Sequence, residues 1–402
     1  MIRLPSTQAR PLVLVVCNAL DDATRLERRI TTDSPAASRK VFLMAQALRL
    51  AGVRAVILSL GRGRVDGSGD NFVSKVCRVG GVPIIYAPFS HRRGVSELLS
   101  LFGLLKPLQK FSRYQNRAVI FYNRTPAYLP LLREASRLGY RSFLDLEDGE
   151  VLGGMGVSSF KERLAFWGIK YFEKYCQSGA LIACSALQDM TSVRPVHCFY
   201  GTAVGSFDGP RWQAKNISFL MSGTLNPDTG APLLVEAISI LRLRRPKWIS
   251  DVCFEVTGKG ESLAEFERLA NEPGLPIVRV HGRTTDARYR EILASCDVGL
   301  SLKPIGGVQA DTTFPSKVME FAGSGLLVLS TDISDVRRLL GDGARYLERN
   351  DPELLIERLA AIAADRQAAA RCARQGRQAA EHHCAPSRAG EDLRQFLFGE
   401  RA

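Results

Sequence analysis

Six short apolar runs recur through the first half of the chain: LVLVV, RAVILSL, PIIYAP, RAVIFYN, RSFLDLE and ALIACS. Segments long enough for helices separate them. Runs that are apolar on both faces suit strands buried inside a parallel sheet, and parallel neighbours require long crossovers. One crossover is legible in detail. SRKVFLMAQALRLAG sets Val41, Phe42, Ala45 and Leu48 on one helical face, and Gly52 closes it before RAVILSL. The expected fold class is therefore α/β, an open parallel sheet with helices on both faces. A second alternating series opens at ISFLMS after the glycine-rich polar stretch GTAVGSFDGPRWQAK. Two domains suit a chain of 402 residues that is 46% hydrophobic. We expect a first domain over 1–205, a second over 206–385 and a final helix over 386–402.

Within the second series, DTTFPSKVMEFAGSGLLVL (311–329) carries the most chemistry. It reads as a loop, a short helix and a buried strand. Pro315 fits the first helical position, where its missing N–H costs nothing, and the following amides lie at the positive end of the helix dipole. Glu320 falls more than one turn inside, within reach of hydroxyls beyond a bound phosphate. Gly323 and Gly325 end the helix before LLVLS.

Taken together, FPSKVMEFAGSGLLVLSTD, the turn GTLNPDTG after ISFLMS, the strand FEVTGKGE and YREILASCDVGLSL resemble the C-terminal domain of retaining GT-B glycosyltransferases of family 4, the glycosyl transferases group 1. The resemblance runs from about Ile217 to Glu381. It implies two Rossmann-like domains whose parallel sheets face across a cleft, the first on the acceptor side and the second holding a nucleotide sugar. It also implies that the final helix crosses back to the first domain. Two positions depart from the family pattern: Thr224 and Thr229 stand where an arginine and a lysine usually grip the diphosphate. A third departure is Thr312, where an acid normally precedes Glu320 by eight positions, with Asp311 beside it.

The donor-binding candidates follow from these motifs. Gly223 and Thr224 let backbone approach a diphosphate. Lys259 and Lys317 could neutralise its charge, the alternative being solvated surface lysines. Phe314 and Ser316 offer dipole-oriented amides. Asp311, Thr312 and Thr313 complete the loop, His281 and Arg283 lie where family members lodge the base, and Glu320 is expected to reach ribose hydroxyls past the phosphates and to count among the catalytic candidates. Asp297 is read as a fold residue.

In the first domain, SFLDLEDGE gathers Asp145, Glu147 and Asp148 at a strand end, a costly cluster unless it faces water, cations or polar ligands. Asp148 or Asp145 is the candidate acceptor-orienting group, with Glu147 expected to point the other way. The loop SPAASRK brings Ser38 and Arg39 toward the cleft, an ordinary helix cap being the equal alternative. Catalysis in such a family needs no enzymic nucleophile, because the departing diphosphate oxygen assists deprotonation of the incoming hydroxyl. The protein supplies positive electrostatics and orientation. No metal is implied, and the nucleotide-diphosphate-sugar is a cosubstrate, so no resident cofactor is expected.

The nine cysteines show no CxxC pair and read as reduced core residues. A net charge of +13 favours a polyanionic partner. Two basic stretches interleaved with aliphatic and aromatic residues, 91–117 and 160–175, suit an anionic membrane surface, with packing inside the domain as the alternative. No nucleic-acid motif accompanies the charge. No apolar run reaches the length of a membrane span, so the expected location is cytoplasmic or peripheral on the inner face of the plasma membrane. The expected activity is hexosyl transfer from a nucleotide-diphosphate-sugar to a glycan or polyprenyl-linked saccharide in surface polysaccharide assembly. The alternatives are a non-catalytic GT-B scaffold, a glycan-binding protein or a nucleotide-sugar epimerase.

Overall fold

The computed structural model describes residues 10–65, 70–92, 95, 99, 102–149, 168–202, 211–306 and 308–399. The chain divides into two compact units, one of residues 1–202 with 386–402 and the other of residues 203–385.

The first unit is built on an eight-stranded sheet. Its strands are β1 (Leu12–Cys17), β2 (Arg54–Ser59), β4 (Lys75–Val79), β5 (Val82–Tyr86), β7 (Arg117–Tyr122), β8 (Arg141–Leu146), β9 (Gly179–Ile182) and β10 (Val196–Cys198). The order is β10-β9-β8-β7-β1-β2-β5-β4. A separate two-stranded ribbon pairs β3 (Asn71–Phe72) with β6 (Phe89–Ser90). All six residues of β1 are buried, and it pairs in parallel with β2 on one side and β7 on the other. Such a strand has no solvent face, which is why LVLVV shows no alternation. The one departure from parallel pairing is β4, which returns antiparallel to β5 through Gly80 and Gly81, both at positive φ. A Gly-Gly pair between two strands is a two-residue hairpin signal.

Two helices precede and follow the first loop: α1 (Asp22–Glu27) and α2 (Pro35–Leu50). Ser34 caps α2, accepting from the Ala37 amide, so Ser38 and Arg39 lie inside the helix and not in a loop before the first helix. Proline at the first position and serine before it set this start one turn earlier than the apolar stripe suggests. Val41, Met44, Ala45 and Leu48 are buried on the sheet, while Phe42 is half-buried against that core.

Among the described residues, further helices of this unit include α3 (Leu105–Phe111), α4 (Leu129–Arg137) and α13 (Pro386–Phe398). Leu104 and Leu108 turn inward, whereas Lys106 and Lys110 are exposed and Phe102 is 57% exposed. Arg93, Leu98 and Leu101 of this basic stretch, and Phe160, Lys161, Leu164 and Trp167 of the other, lie outside the described residues. Among the described residues no helix is long and apolar enough to cross a membrane. Helix α13 packs on α2, with Ala389, Leu393 and Leu397 joining the core formed by Val41, Met44 and Leu48.

The second unit carries a six-stranded, all-parallel sheet in the order β13-β12-β11-β14-β15-β16. The strands are β11 (Ile217–Thr224), β12 (Val252–Lys259), β13 (Ile277–Gly282), β14 (Val298–Ser301), β15 (Leu327–Thr331) and β16 (Ala344–Leu347). Its helices are α5 (Ala231–Arg244), α6 (Leu263–Asn271), α7 (Asp286–Ser295), α8 (Val308–Asp311), α9 (Lys317–Gly323), α10 (Val336–Leu340), α11 (Pro352–Ala364) and α12 (Arg366–Cys384). One apolar cluster, including Phe219, Phe254, Leu241, Phe266 and Leu355, fills the space between sheet and helices. The nine cysteines are free thiols, and seven of them are buried.

Helix α13 docks through Gly390, where an added Cβ would lie 2.0 Å from the Ala47 carbonyl oxygen of α2. Packed backbones cannot absorb such an overlap. Gly390→Ala is expected to lower the melting temperature of the first unit and leave the second nearly unchanged, read as two transitions by calorimetry. His197 on β10 stacks on Phe396 of α13 at 5.2 Å, and burial, opposed by Asp392, lowers its pKa below the ordinary 6.5. The unfolded chain therefore binds the proton first, so this contribution is complete above about pH 6.5 and is lost as pH falls through the folded value. Melts between pH 7.5 and 5 should show His197→Phe flattening the acid-side decline.

Candidate active site

Strand order in the second unit reverses between β11 and β14, since chain order runs outward from β11 to β13 on one side and from β14 to β16 on the other. In open parallel sheets a ligand crevice opens at the carboxyl ends of strands at such a point. The loop leaving β11, Thr224–Gly230, is held closed by its own side chains. Asn226 and Thr229 form a reciprocal capping box, and the Asn226 Oδ1 accepts the Glu261 amide at 3.0 Å. The Thr229 hydroxyl lies 2.7 Å from the Thr224 carbonyl and 2.8 Å from that of Asn226. Thr229 therefore commits its side chain to the loop. Gly258 has a φ of 143°, and a Cβ there would fall 1.7 Å from the Gly223 carbonyl oxygen. The ends of β11 and β12 can approach this closely only without that atom.

Beside this loop lies a polar group built from three elements. The Lys317 ammonium, at the start of α9, donates to Glu320 Oε2 at 2.7 Å and to the Tyr289 hydroxyl at 3.1 Å, and sits 4.6 Å from the Tyr289 ring centroid. The Tyr289 hydroxyl, from α7, also lies 3.1 Å from Glu320 Oε2 and 3.3 Å from the Ser222 hydroxyl of β11. A Cβ on Gly223 would meet nothing closer than Lys317 Cε at 3.9 Å. Gly223, Lys317 and Glu320, separate pieces in the sequence, are thus brought together. Tyr289 is absent from the candidates that the sequence supplies, though it stands within YREILASCDVGLSL; an aromatic at helical spacing carries no signal that its hydroxyl turns toward a lysine. Burial raises the Tyr289 pKa, so this hydroxyl stays protonated at neutral pH and can donate.

Helix α9 starts at Lys317 and not at Pro315, because Val318 donates to the Pro315 carbonyl and Ser316 takes the capping position. Ser316 and Asp311 are exposed, Thr313 is half-buried, and Thr312 and Phe314 are buried. Lys259 ends β12, its carbonyl accepting the Leu225 amide at 2.9 Å. Thr224 is exposed at the end of β11, and Arg283 lies just after β13. His281 belongs to another group: its Nε2 lies 2.7 Å from Glu255 Oε2, while Arg279 donates to Glu255 Oε1 at 2.6 Å.

In the first unit the acids at the end of β8 converge on one cation. Lys40, on α2, donates to Asp145 Oδ1 at 3.1 Å and also binds Glu147. Asp145 and Glu147 are two residues apart and share a side, which corrects the expectation that Glu147 points away. Asp145 is fully buried, and burial raises its pKa against the pull of Lys40. Asn123, in the left-handed region at φ 57°, arranges this corner. Its amide donates to the Asp145 carbonyl at 2.7 Å and its Oδ1 accepts the Glu147 amide at 2.9 Å. Asp148 is exposed beyond them. Ser38 is buried, and its Oγ accepts the Leu20 amide at 3.0 Å, so it secures the loop after β1. Arg39, the next residue of α2, is half-buried.

Residues 216–365 match the family model for glycosyl transferases group 1. No curated protein matches the chain by sequence. Among solved structures, the Anabaena protein HepE in complex with UDP and glucose is 14% identical with a TM-score of 0.61, over 96% of this chain and 98% of its own. WaaG, a glycosyltransferase involved in lipopolysaccharide biosynthesis, is 14% identical with a TM-score of 0.61, over 94% of this chain and 99% of its own. Sucrose-phosphate synthase from Thermosynechococcus elongatus is 11% identical with a TM-score of 0.64, over 96% and 98%. With two α/β units built on mainly parallel sheets, the chain has the GT-B fold, and its second unit carries the stretch that matches the family model for glycosyl transferases group 1.

Proposed function

We propose that the protein transfers a hexose-type sugar from a nucleotide-diphosphate-sugar to a glycan or lipid-linked saccharide, with retention and without a metal, in surface polysaccharide assembly. The observation that carries this reading is the Lys317–Glu320–Tyr289 group beside Gly223, at the carboxyl end of β11. A leaving diphosphate needs positive charge at its oxygens. Lys317 brings an ammonium whose position is already fixed by Glu320 and Tyr289, and Lys259 is the second lysine proposed for the diphosphate. The side-chain-free face of Gly223 leaves room for a phosphate beside that ammonium. Glu320 holds Lys317 on one oxygen and is proposed to take a hydroxyl of the ribose or the transferred sugar. UDP and glucose in HepE favour a nucleotide-sugar donor here too, with the base toward His281 and Arg283.

On the acceptor side the roles of the acids separate by burial. Asp145 is engaged by Lys40 inside the unit, so it acts as a support. Asp148, exposed at the same strand end, is the group proposed to orient the acceptor hydroxyl. The exposed Lys106, Lys110 and Phe102 suit docking on an anionic lipid surface at the inner leaflet, where a polyprenyl-linked acceptor would be met. A second reading, a GT-B scaffold without catalysis, draws on Thr229, whose hydroxyl is committed to its own loop where a phosphate-gripping lysine is usual.

Calorimetry against UDP, GDP, ADP and their sugar conjugates separates the two. We expect binding by the wild type, a loss of about tenfold or more in Lys317→Met and Glu320→Ala, and a smaller loss in Tyr289→Phe, which keeps the ring and removes one hydrogen bond. Binding to none of these ligands would favour the scaffold. The acids are tested by stability and activity together. Lys40→Met strands Asp145 in the interior and should destabilise the first unit by about 3–5 kcal/mol. Asp148→Asn should leave the melting temperature unchanged and lower kcat by about 10²-fold or more.

A further inference from the structure

At the opposite end of the second unit's sheet, a cavity of about 210 Å³ is lined by Arg211, Trp212, Gly325, Ala370, Ala373, Arg374 and Arg377. Gly325 lies two residues before the start of β15, whereas the candidate active site lies beyond the carboxyl ends of the strands. Five residues of strand at about 3.3 Å each separate the two ends by about 15 Å. The cavity is therefore a distinct site, and its chemistry is independent of the proposed transferase activity.

Its walls are unusually one-sided in charge. Three of the seven lining residues are arginines and none is acidic. Arg211 is committed to structure, donating to the carbonyls of Leu293, Cys296 and Ser324, which close α7 and α9. Burial lowers its pKa, Asp297 opposes that, and Arg377 adds to the lowering in the smallest part. Arg377 is matched by Glu381, one turn along α12, at 2.8 Å. Arg374 has no acidic partner among the described residues and is exposed at the rim. On α12, Ala370, Ala373, Arg374 and Arg377 share one face, so the two alanines leave the floor open and the arginines stand over it. Trp212 adds a rigid apolar wall, held by its amide on Asp297 Oδ1 at 2.8 Å.

We propose that this cavity binds a phosphate-type oxyanion, either free phosphate or the phosphate of a lipid headgroup. An anion there would meet three arginines and no acid in the lining, and guanidinium groups offer the forked donors that suit tetrahedral oxyanions. At a water's share of about 30 Å³, the space holds about seven waters, enough for a phosphate with a small substituent and too small for a nucleotide sugar.

Trp212 supplies a local readout, since its indole lines the cavity. Inorganic phosphate is titrated at constant ionic strength, with chloride as the balancing anion, while tryptophan emission is followed. We expect a saturable change in the wild type and in Lys317→Met, which alters only the candidate active site, and no change in Trp212→Phe. Arg374→Gln should weaken the apparent Kd by about tenfold. Ala370→Glu, which places a carboxylate on the cavity floor, should abolish the response even if Arg374→Gln proves unstable. Vesicles of phosphatidylglycerol, compared with phosphatidylcholine, tell the two sources apart: a Trp212-dependent shift with the anionic vesicles assigns a headgroup, and a response to inorganic phosphate alone assigns a soluble phosphate. The proposal is overturned if neither probe gives a saturable Trp212 signal, or if Arg374→Gln and Ala370→Glu bind as the wild type does.

Discussion

The Asp297 carboxylate sets the frame of the second unit. It accepts the Trp212 amide at 2.8 Å and the Ser218 amide at 3.0 Å, while its own amide donates to the Ser218 carbonyl and its carbonyl accepts the Leu327 amide. One buried residue thus ties together the entries to β11, β14 and β15. These are the strands on either side of the point where the order reverses, and parallel strands at such a point have no hairpin to fix their register. With the amino ends pinned, where Phe219 pairs with Val298 and Val298 with Leu327, the register carries through to the other end, where Met221 pairs with Leu300 and Ser301 with Ser330. Hydrogen bonds from a carboxylate to backbone amides are among the stronger ones available to a fold. The position of Gly223 against Lys317 inherits its precision from that pin.

Much of this frame is legible in the sequence, and for a physical reason. Runs such as ISFLMS and LLVLS are buried on both faces, so their composition alone states the environment. Asp297, between a helix and an apolar strand, can be read as a fold residue because a lone acid there must be offset by local amides. The hairpin at Gly80–Gly81 is equally present in the letters, yet an all-parallel sheet leaves no expectation of a returning edge strand.

Side-chain partnerships are much less legible. Lys317 and Glu320 stand three apart on one helix, so their pairing follows from spacing. Tyr289 reaches them from another helix, and only the sheet order makes those helices neighbours. Asp145 and Glu147 look like a free acidic cluster in the sequence because their cation, Lys40, is more than a hundred residues away in the chain. The start of α2 at Pro35 decides that meeting: Lys40 sits in the helix's second turn, pointed at the end of β8, and not in a loop. Long-range charge pairs are invisible to local pattern, and here they determine which acids remain available for a ligand.

The two ends of the second unit's sheet use basic residues in different ways. At the carboxyl ends, Lys317 is neutralised and aimed by Glu320 and a tyrosine hydroxyl, so an anion arriving there would compete with an existing partner for the ammonium. Such a site would release an anion more readily than one with a bare cation, because Glu320 retakes the lysine when the anion leaves. At the amino ends, Arg211 binds carbonyls, and Arg374 and Arg377 follow it on the helix face beyond. Carbonyl oxygens neutralise a guanidinium less completely than a carboxylate does, so positive potential persists on that side even with both terminal nitrogens of Arg211 bound to carbonyls. The second unit thus holds basic groups in two ways, as a lysine guarded by a carboxylate at the carboxyl ends and as an arginine resting on carbonyl oxygens at the amino ends.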